Sequence, residues 1–167
     1  MREMLWRPVR PSSGLLINTP GLQAQALSGL GQTLISGDLD AALAALATGA
    51  PMLGLYGAAP DGAHALRIAR DRVLLVTPSP IEAAGSWSDG WCATSLDDAF
   101  AAINVSGADA PLALAQGTSA DLAANSRSAA VRFAALCDLL LVRTSTGFRI
   151  HIEAPRVETL LTWLEGV

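Results

Sequence analysis

The chain has 167 residues, about the size of one domain, and is long enough to bury a core without metal or disulfide staples. Hydrophobic residues make up 51% and charged residues 16%, the formal net charge is −4, and all eleven basic residues are arginine. The absence of lysine excludes Schiff-base chemistry and the lysine of a Walker phosphate loop, scattered arginines on an acidic chain leave no basic stripe for nucleic acid, and no run of about 18 apolar residues offers a membrane span. The N-terminal MREMLWRPVRPSSG has arginines with no apolar signal core behind them, so the expected location is cytoplasmic. The apolar excess goes either to a partner interface or to an alanine-rich core.

Residues 1–14, with Pro8, Pro11 and Gly14, form an irregular arm anchored by Trp6. Leu15–Asn18 is a short strand, Pro20-Gly21 a turn, Leu22–Leu30 a weak helix and Gln32–Ile35 a second short strand. Asp38 caps a clearer helix, because its carboxylate can accept from the free N–H groups of the first turn. Leu39, Leu43 and Leu46 share one face of that helix, and Gly49 and Pro51 stop it. Strands are expected at Met52–Tyr56, His64–Ala69 and Arg72–Thr77, the last two joined as a hairpin through Arg70-Asp71. The segment PSPIEAAGSWSDGW that follows holds one helical turn, Ile81–Ala84, and presents Trp87 and Trp91 on an exposed or partner-facing loop.

A strand-like run, Leu96–Val105, stops at Ser106-Gly107. Asp109 and Pro111 open an Ala/Leu helix that Gly117 closes. Ser106 and Asp109 have capping-box spacing, but a cap at Ser106 makes Pro111 remove a helix hydrogen bond, and a cap at Gly107 or Asp109 softens the conflict. Strands follow at Ala129–Ala135, Asp138–Thr144 and Phe148–Glu153. The last has Phe148, Ile150 and Ile152 on one face and Arg149, His151 and Glu153 on a polar face. Pro155 opens the final helix, with Val157, Leu160, Leu161 and Leu164 as its apolar stripe. Ser36-Gly37 and Ser106-Gly107 each begin the same series of helix, glycine stop and hairpin. The expected fold is therefore α+β: one domain over 1–167 with two pseudo-repeats, about 15–90 and 91–167, forming a pseudo-duplicated antiparallel or mixed sheet with helices packed on one face.

No catalytic constellation stands out. His64, Cys92, Cys137 and His151 are isolated from one another, unlike the clustered ligands of a zinc site, so no metal is expected. There is no GxSxG elbow and no GxGxxG loop, which removes the hydrolase and dinucleotide-fold readings. Cys137, within FAALCDLLLV, is a buried thiol, and a disulfide to Cys92 is disfavoured in the cytosol. Trp163 belongs to the core or to a helix flank. Trp6, Trp87 and Trp91 sit in loop-like contexts, as satellite core or as interface anchors, and are the interface candidates.

Three stretches carry a resemblance to a known family: ALRIARDRVLLVTP, INVSGADAPLALAQGTSADL and AVRFAALCDLLLVRTSTGFRIHIEAPRVETLLTWL. The aspartate-led hairpin and Leu-Leu strand at Asp71–Val76, the Ser-Gly helix start at Ser106–Ala110, Asp121-Leu122 after that helix, and the tryptophan-bearing helix end at Leu161–Leu164 resemble the gamma subunit of heterotetrameric sarcosine oxidase. That family belongs to the aminomethyltransferase-like group, which implies a folate-binding-domain-like fold. The related iron–sulfur-assembly branch has a Lys-Gly-Cys-x-x-Gly-Gln-Glu signature that this lysine-free chain lacks. The resemblance implies a non-catalytic accessory subunit of a complex that oxidatively demethylates an N-methyl amino acid and passes the one-carbon unit to tetrahydrofolate. The partners would be flavoprotein oxidase subunits, flavin and tetrahydrofolate would reside in those partners, and this chain alone would bind no cofactor. The alternative is a stand-alone folate- or pterin-binding protein of the same fold, with Arg143 or Arg149 gripping a glutamyl carboxylate through two parallel hydrogen bonds.

Overall fold

The structure, a computed structural model, describes residues 14–55, 57–82, 89–122 and 126–166. Trp6, Trp87 and part of the expected turn at Ile81–Ala84 lie outside the described residues. In chain order the elements are β1 (Gly14–Asn18), β2 (Gln23–Leu27), β3 (Gly31–Gly37), α1 (Leu39–Leu46), β4 (Met52–Leu53), β5 (His64–Ala69), β6 (Arg72–Thr77), β7 (Trp91–Ser95), β8 (Phe100–Ser106), α2 (Ala110–Gly117), β9 (Ala130–Phe133), β10 (Cys137–Arg143), β11 (Gly147–Glu153) and α3 (Val157–Glu165), the last entered through a 3-10 turn at Ala154–Arg156.

The fold is α+β, but it contains two sheets where the sequence pattern suggested one. The first is six-stranded and antiparallel, in the order β1-β2-β8-β11-β10-β9; the second is five-stranded, β4-β5-β6-β3-β7, with only the β4–β5 pair parallel. Successive side chains of a strand point to opposite faces, and here each face has its own cluster. Ile103, Ile150 and Leu141 of the first sheet pack with Leu114 of α2 and Leu160 of α3. Ile35, Val73 and Leu75 of the second sheet pack with Leu39 and Ala42 of α1. The remaining faces meet each other through Leu66, Leu74 and Val76 on one side and Leu140 and Val142 on the other. The helices therefore flank a two-sheet sandwich from outside, which corrects the expectation of helices on one face of a single sheet.

Local chemistry explains most elements. Asp38 caps α1 as its position suggested, accepting from the Ala41 N–H at 3.1 Å. α2 begins after Asp109, which places Pro111 in the first turn where it removes no helix hydrogen bond. Gly117, the last residue of that helix, packs under the Phe133 ring, where a Cβ would sit 2.2 Å away, and that ring in turn meets Trp163 edge-on at 4.7 Å. Residues 23–27 are a strand, not part of a helix: Ala24 and Ala26 are buried and Gln23 and Gln25 exposed, a period of two that pairing with β8 fixes. The strand expected at Met52–Tyr56 shortens to Met52–Leu53. Alanines supply part of the core, among them Ala24, Ala42, Ala65, Ala101 and Ala113.

The two sheets share a path. β3 leads to α1 and returns through β4, β5 and β6, and β8 leads to α2 and returns through β9, β10 and β11. Each leading strand takes its other neighbour from the opposite half of the chain: β3 pairs with β7, and β8 pairs with β2. The joints behind the leading strands match as well. Gly37, at φ +106°, lies against Gly90 while the Asp38 N–H donates to the Gly90 carbonyl at 2.9 Å; Gly107, at φ +111°, lies against Gly21 while the Asp109 N–H donates to the Gly21 carbonyl at 2.9 Å. A Cβ at Gly107 would come within 2.3 Å of that carbonyl oxygen, a backbone atom that cannot swing aside. Gly107→Ala combines this clash with an unfavourable backbone region and is expected to cost about 2 kcal/mol or more, read from urea unfolding midpoints; an unchanged midpoint would show that the joint is not under this constraint.

Candidate functional site

The layer between the sheets contains the most unusual chemistry in the protein. Most side chains facing into it are apolar, but Gln32, His64 and His151 are all at most 3% exposed. His151 was expected on the polar face of a strand. It does share a face with Arg149 and Glu153, but the second sheet covers that face. Gln32 lies on β3 and His151 on β11, so they approach from different sheets.

The hydrogen bonds fix the proton positions. The Gln32 side-chain NH₂ donates to the Phe100 carbonyl at 2.9 Å, which turns its amide oxygen toward His151 Nδ1 at 2.6 Å. An oxygen there can only accept, so Nδ1 carries the hydrogen. His64 Nδ1 likewise faces the Gly62 carbonyl at 2.9 Å and donates to it. The Gln32 backbone N–H donates to Asp97 Oδ1 at 2.5 Å, and Ser95 Oγ donates to Asp97 Oδ2 at 2.8 Å. Asp97 thus pins the start of β3 to the turn before β8. The Nε2 atoms of His64 and His151 are buried and have no hydrogen-bond partner among the described residues.

Electrostatics keep both imidazoles neutral. Burial lowers the pKa of His151 to about 3, helped by the positive field of Arg149 and by His64. Burial also lowers that of His64, against the opposing effect of its bond to Gly62, with Arg149 adding to the lowering. Arg149 is itself partly buried, which lowers its own pKa, while Asp61 acts as a favourable countercharge; its Nε–H donates to Asn104 Oδ1 at 3.0 Å. The cluster has neutral hydrogen-bonding groups and one guanidinium. Cys137 lies on the helix-side face, and burial pushes its thiol pKa up, which disfavours the thiolate. Both cysteines are free, and no group of three or more potential metal ligands is gathered among the described residues.

The other candidates are dispersed. Arg143 pairs with Phe148 on the helix-side face, whereas Arg149 pairs with Val142 on the inter-sheet face, so the two arginines do not converge. The Arg143 Nη2 donates to the Leu122 carbonyl at 2.7 Å. Trp91 is the first residue of β7, not part of a loop, and is buried against the α1 side of the second sheet, which leaves little of it for a partner. The exposed large apolar side chains among the described residues are Leu15 on β1, Leu112 on α2 and Leu136 in the turn between β9 and β10. No helix among the described residues is long and apolar enough to cross a membrane. Sequence reasoning missed the inter-sheet cluster because Gln32 and His151 are far apart in the chain and each looks like an ordinary polar residue on a strand.

No family model and no curated protein sequence matches this chain. Among solved structures, it is similar to a chain of the heterotetrameric sarcosine oxidase from Corynebacterium sp. U-96, determined in complex with pyrrole 2-carboxylate. The TM-score is 0.70 with 18% identity, and the match covers 90% of this chain and 85% of that one. The two chains are therefore close in length and share a fold, that of a sarcosine oxidase subunit.

Two measurements check the inter-sheet cluster. Gln32→Leu leaves the buried His151 Nδ1–H and the Phe100 carbonyl without their present partner, for an expected loss of about 2–4 kcal/mol in unfolding free energy. On acidification, the unfolded chain takes up protons near a pKa of about 6.5 that the folded imidazoles refuse, so stability falls as the pH drops below that value, by at most about 1.4 kcal/mol per pH unit per histidine. For His151 the loss extends toward pH 3, its folded pKa being about 3. Unfolding midpoints measured from pH 7 to 5 should show this slope, and His151→Gln should reduce it; a flat profile would mean that the imidazoles are protonated in place.

Proposed function

We propose that this chain is a gamma-type accessory subunit of a heterotetrameric sarcosine oxidase-like flavoenzyme complex and supplies packing surface, not catalytic residues. The observation that carries this reading is the fold likeness over nine-tenths of the chain to a similarly sized chain of a heterotetrameric sarcosine oxidase. The hairpin at Asp71–Val76, the helix start at Ser106–Ala110 and the tryptophan-bearing end of the last helix add the gamma character. On this reading the fold belongs to the folate-binding-domain group. The complex oxidatively demethylates an N-methyl amino acid and hands the one-carbon unit to tetrahydrofolate in the cytoplasm. Flavin and tetrahydrofolate are held by the partner subunits.

The chemistry of the inter-sheet cluster fits such a role. Its imidazoles are neutral, closed off and committed through Nδ1 to holding the chain together, so they serve the integrity of the sandwich. The stand-alone folate-binding alternative gains no support from Arg143 and Arg149, which face opposite sides of one sheet. The test is co-expression of a tagged copy with the flavoprotein oxidase subunits encoded in the same genome. The expected outcome is one stoichiometric species in size-exclusion chromatography that carries flavin absorbance. Elution of the chain alone, with the flavoprotein subunits assembled without it, would overturn the reading.

A further inference from the structure

A cleft of about 740 Å³ lies away from the inter-sheet cluster and is walled by Met52 and Leu53 of β4, Gly54, Arg67 of β5, Arg70 just beyond it, and Arg127. Three arginines line it on a chain whose net charge is −4. None of the three forms an ion pair with a described residue; the Arg132–Asp138 ion pair is on the surface elsewhere. Lining one cleft with like charges that have no carboxylate in ion-pair contact costs electrostatic energy, so the arrangement is one that an anion would relieve.

The walls of the cleft are built, not incidental. The Ala129 N–H donates to the Arg67 carbonyl at 2.8 Å, the Leu55 N–H donates to the Ser128 carbonyl at 3.1 Å, and Ser128 Oγ donates to the Ile68 carbonyl at 3.2 Å. Gly54 lies so close to the 126–127 backbone that a Cβ would come within 2.0 Å of the Ser126 carbonyl oxygen. These contacts place Arg127, from the second half of the chain, beside Arg67, from the first. Arg67 is itself held: its Nη1 donates to the Arg70 carbonyl at 3.0 Å, and its Nη2 lies against the Met52 sulfur. The side chains of Arg70 and Arg127 are exposed. A smaller cleft shares Met52, Arg67 and Arg70 but is rimmed by Asp38, Asp40 and Asp71, which repel anions toward the Arg127 end.

We propose that the Arg67–Arg70–Arg127 cleft is a binding site for a small organic anion bearing at least two carboxylate or phosphate groups, with its carbon body against Met52 and Leu53. The volume is in the range of small-molecule sites, and planar guanidinium groups match both oxyanions through paired hydrogen bonds. A single small anion would leave part of this charge unmatched. The site does not depend on the subunit reading.

Calorimetric titration of the full chain at low ionic strength tests the proposal, with inorganic tripolyphosphate as the phosphate probe and propane-1,2,3-tricarboxylate as the carboxylate probe. At least one should bind saturably, one per chain, with Kd below about 1 mM, and the stronger probe identifies the headgroup. Arg70→Gln and Arg127→Gln alter exposed side chains, so the fold should be kept. Each should weaken binding several-fold, and the double variant by about tenfold or more, while Arg132→Gln changes nothing. Binding of neither probe below 1 mM, or binding that survives the double variant, would overturn the proposal.

Discussion

The hydrogen bond from His151 to Gln32 crosses the interior where two sheets meet and constrains how they sit against each other. The apolar residues of that layer, Leu66, Leu74, Val76, Leu140 and Val142, tolerate many relative placements of the sheets, because hydrophobic burial has no direction. A buried amide and a buried imidazole do not. A shift of one residue in either strand turns the side chain to the other face and leaves both groups unpaired in a dry environment. Through Gln32 the same constraint reaches Phe100 and Asp97, so β3, the turn before β8, and β11 are tied at one point.

Around that point the chain economises on side-chain volume. Alanines occupy core positions on both sheets and on α1 and α2, and larger residues such as Phe133, Ile103 and Leu160 fill the spaces beneath the helices. This close packing leaves Leu15, Leu112 and Leu136 as the exposed large apolar side chains among the described residues. It also explains why glycines lie at the points of closest backbone approach. Gly54 beside the 126–127 segment and Gly107 beside Gly21 allow main chains to approach where even a methyl group would not fit.

Most elements were legible from local pattern. The alternation in Phe148–Glu153, the hairpin at Arg70-Asp71 and the cap at Asp38 all reflect physics within a few residues of chain. What failed to show was non-local. β2 was hidden because alanine and glutamine favour helix as isolated residues, and only pairing with β8 makes residues 23–27 a strand. The polar face of β11 suggested solvent because a strand cannot reveal that another sheet covers it. Trp91 looked like a loop residue because glycine and serine precede it, although β3 recruits it into a sheet. The arginine cleft escaped notice for the same reason, since Arg67 and Arg127 belong to different halves and come together only through the hydrogen bonds of residues 128 and 129.

The exchange of β2 and β7 between the halves has a consequence for how the chain acquires its structure. Neither half contains all the strands of its own sheet, so neither can close its hydrophobic clusters alone. The decisive pairings join residues distant in sequence, and their loop-closure entropy must be overcome before they return any stabilisation, which makes for slow, high-contact-order folding. Partial unfolding of one half strips a strand from the other, so the halves melt together as one cooperative unit. During synthesis, β3 emerges well before β7, and its edge stays open until the second half arrives. That interval is when the nascent chain is most exposed to pairing with the wrong strand.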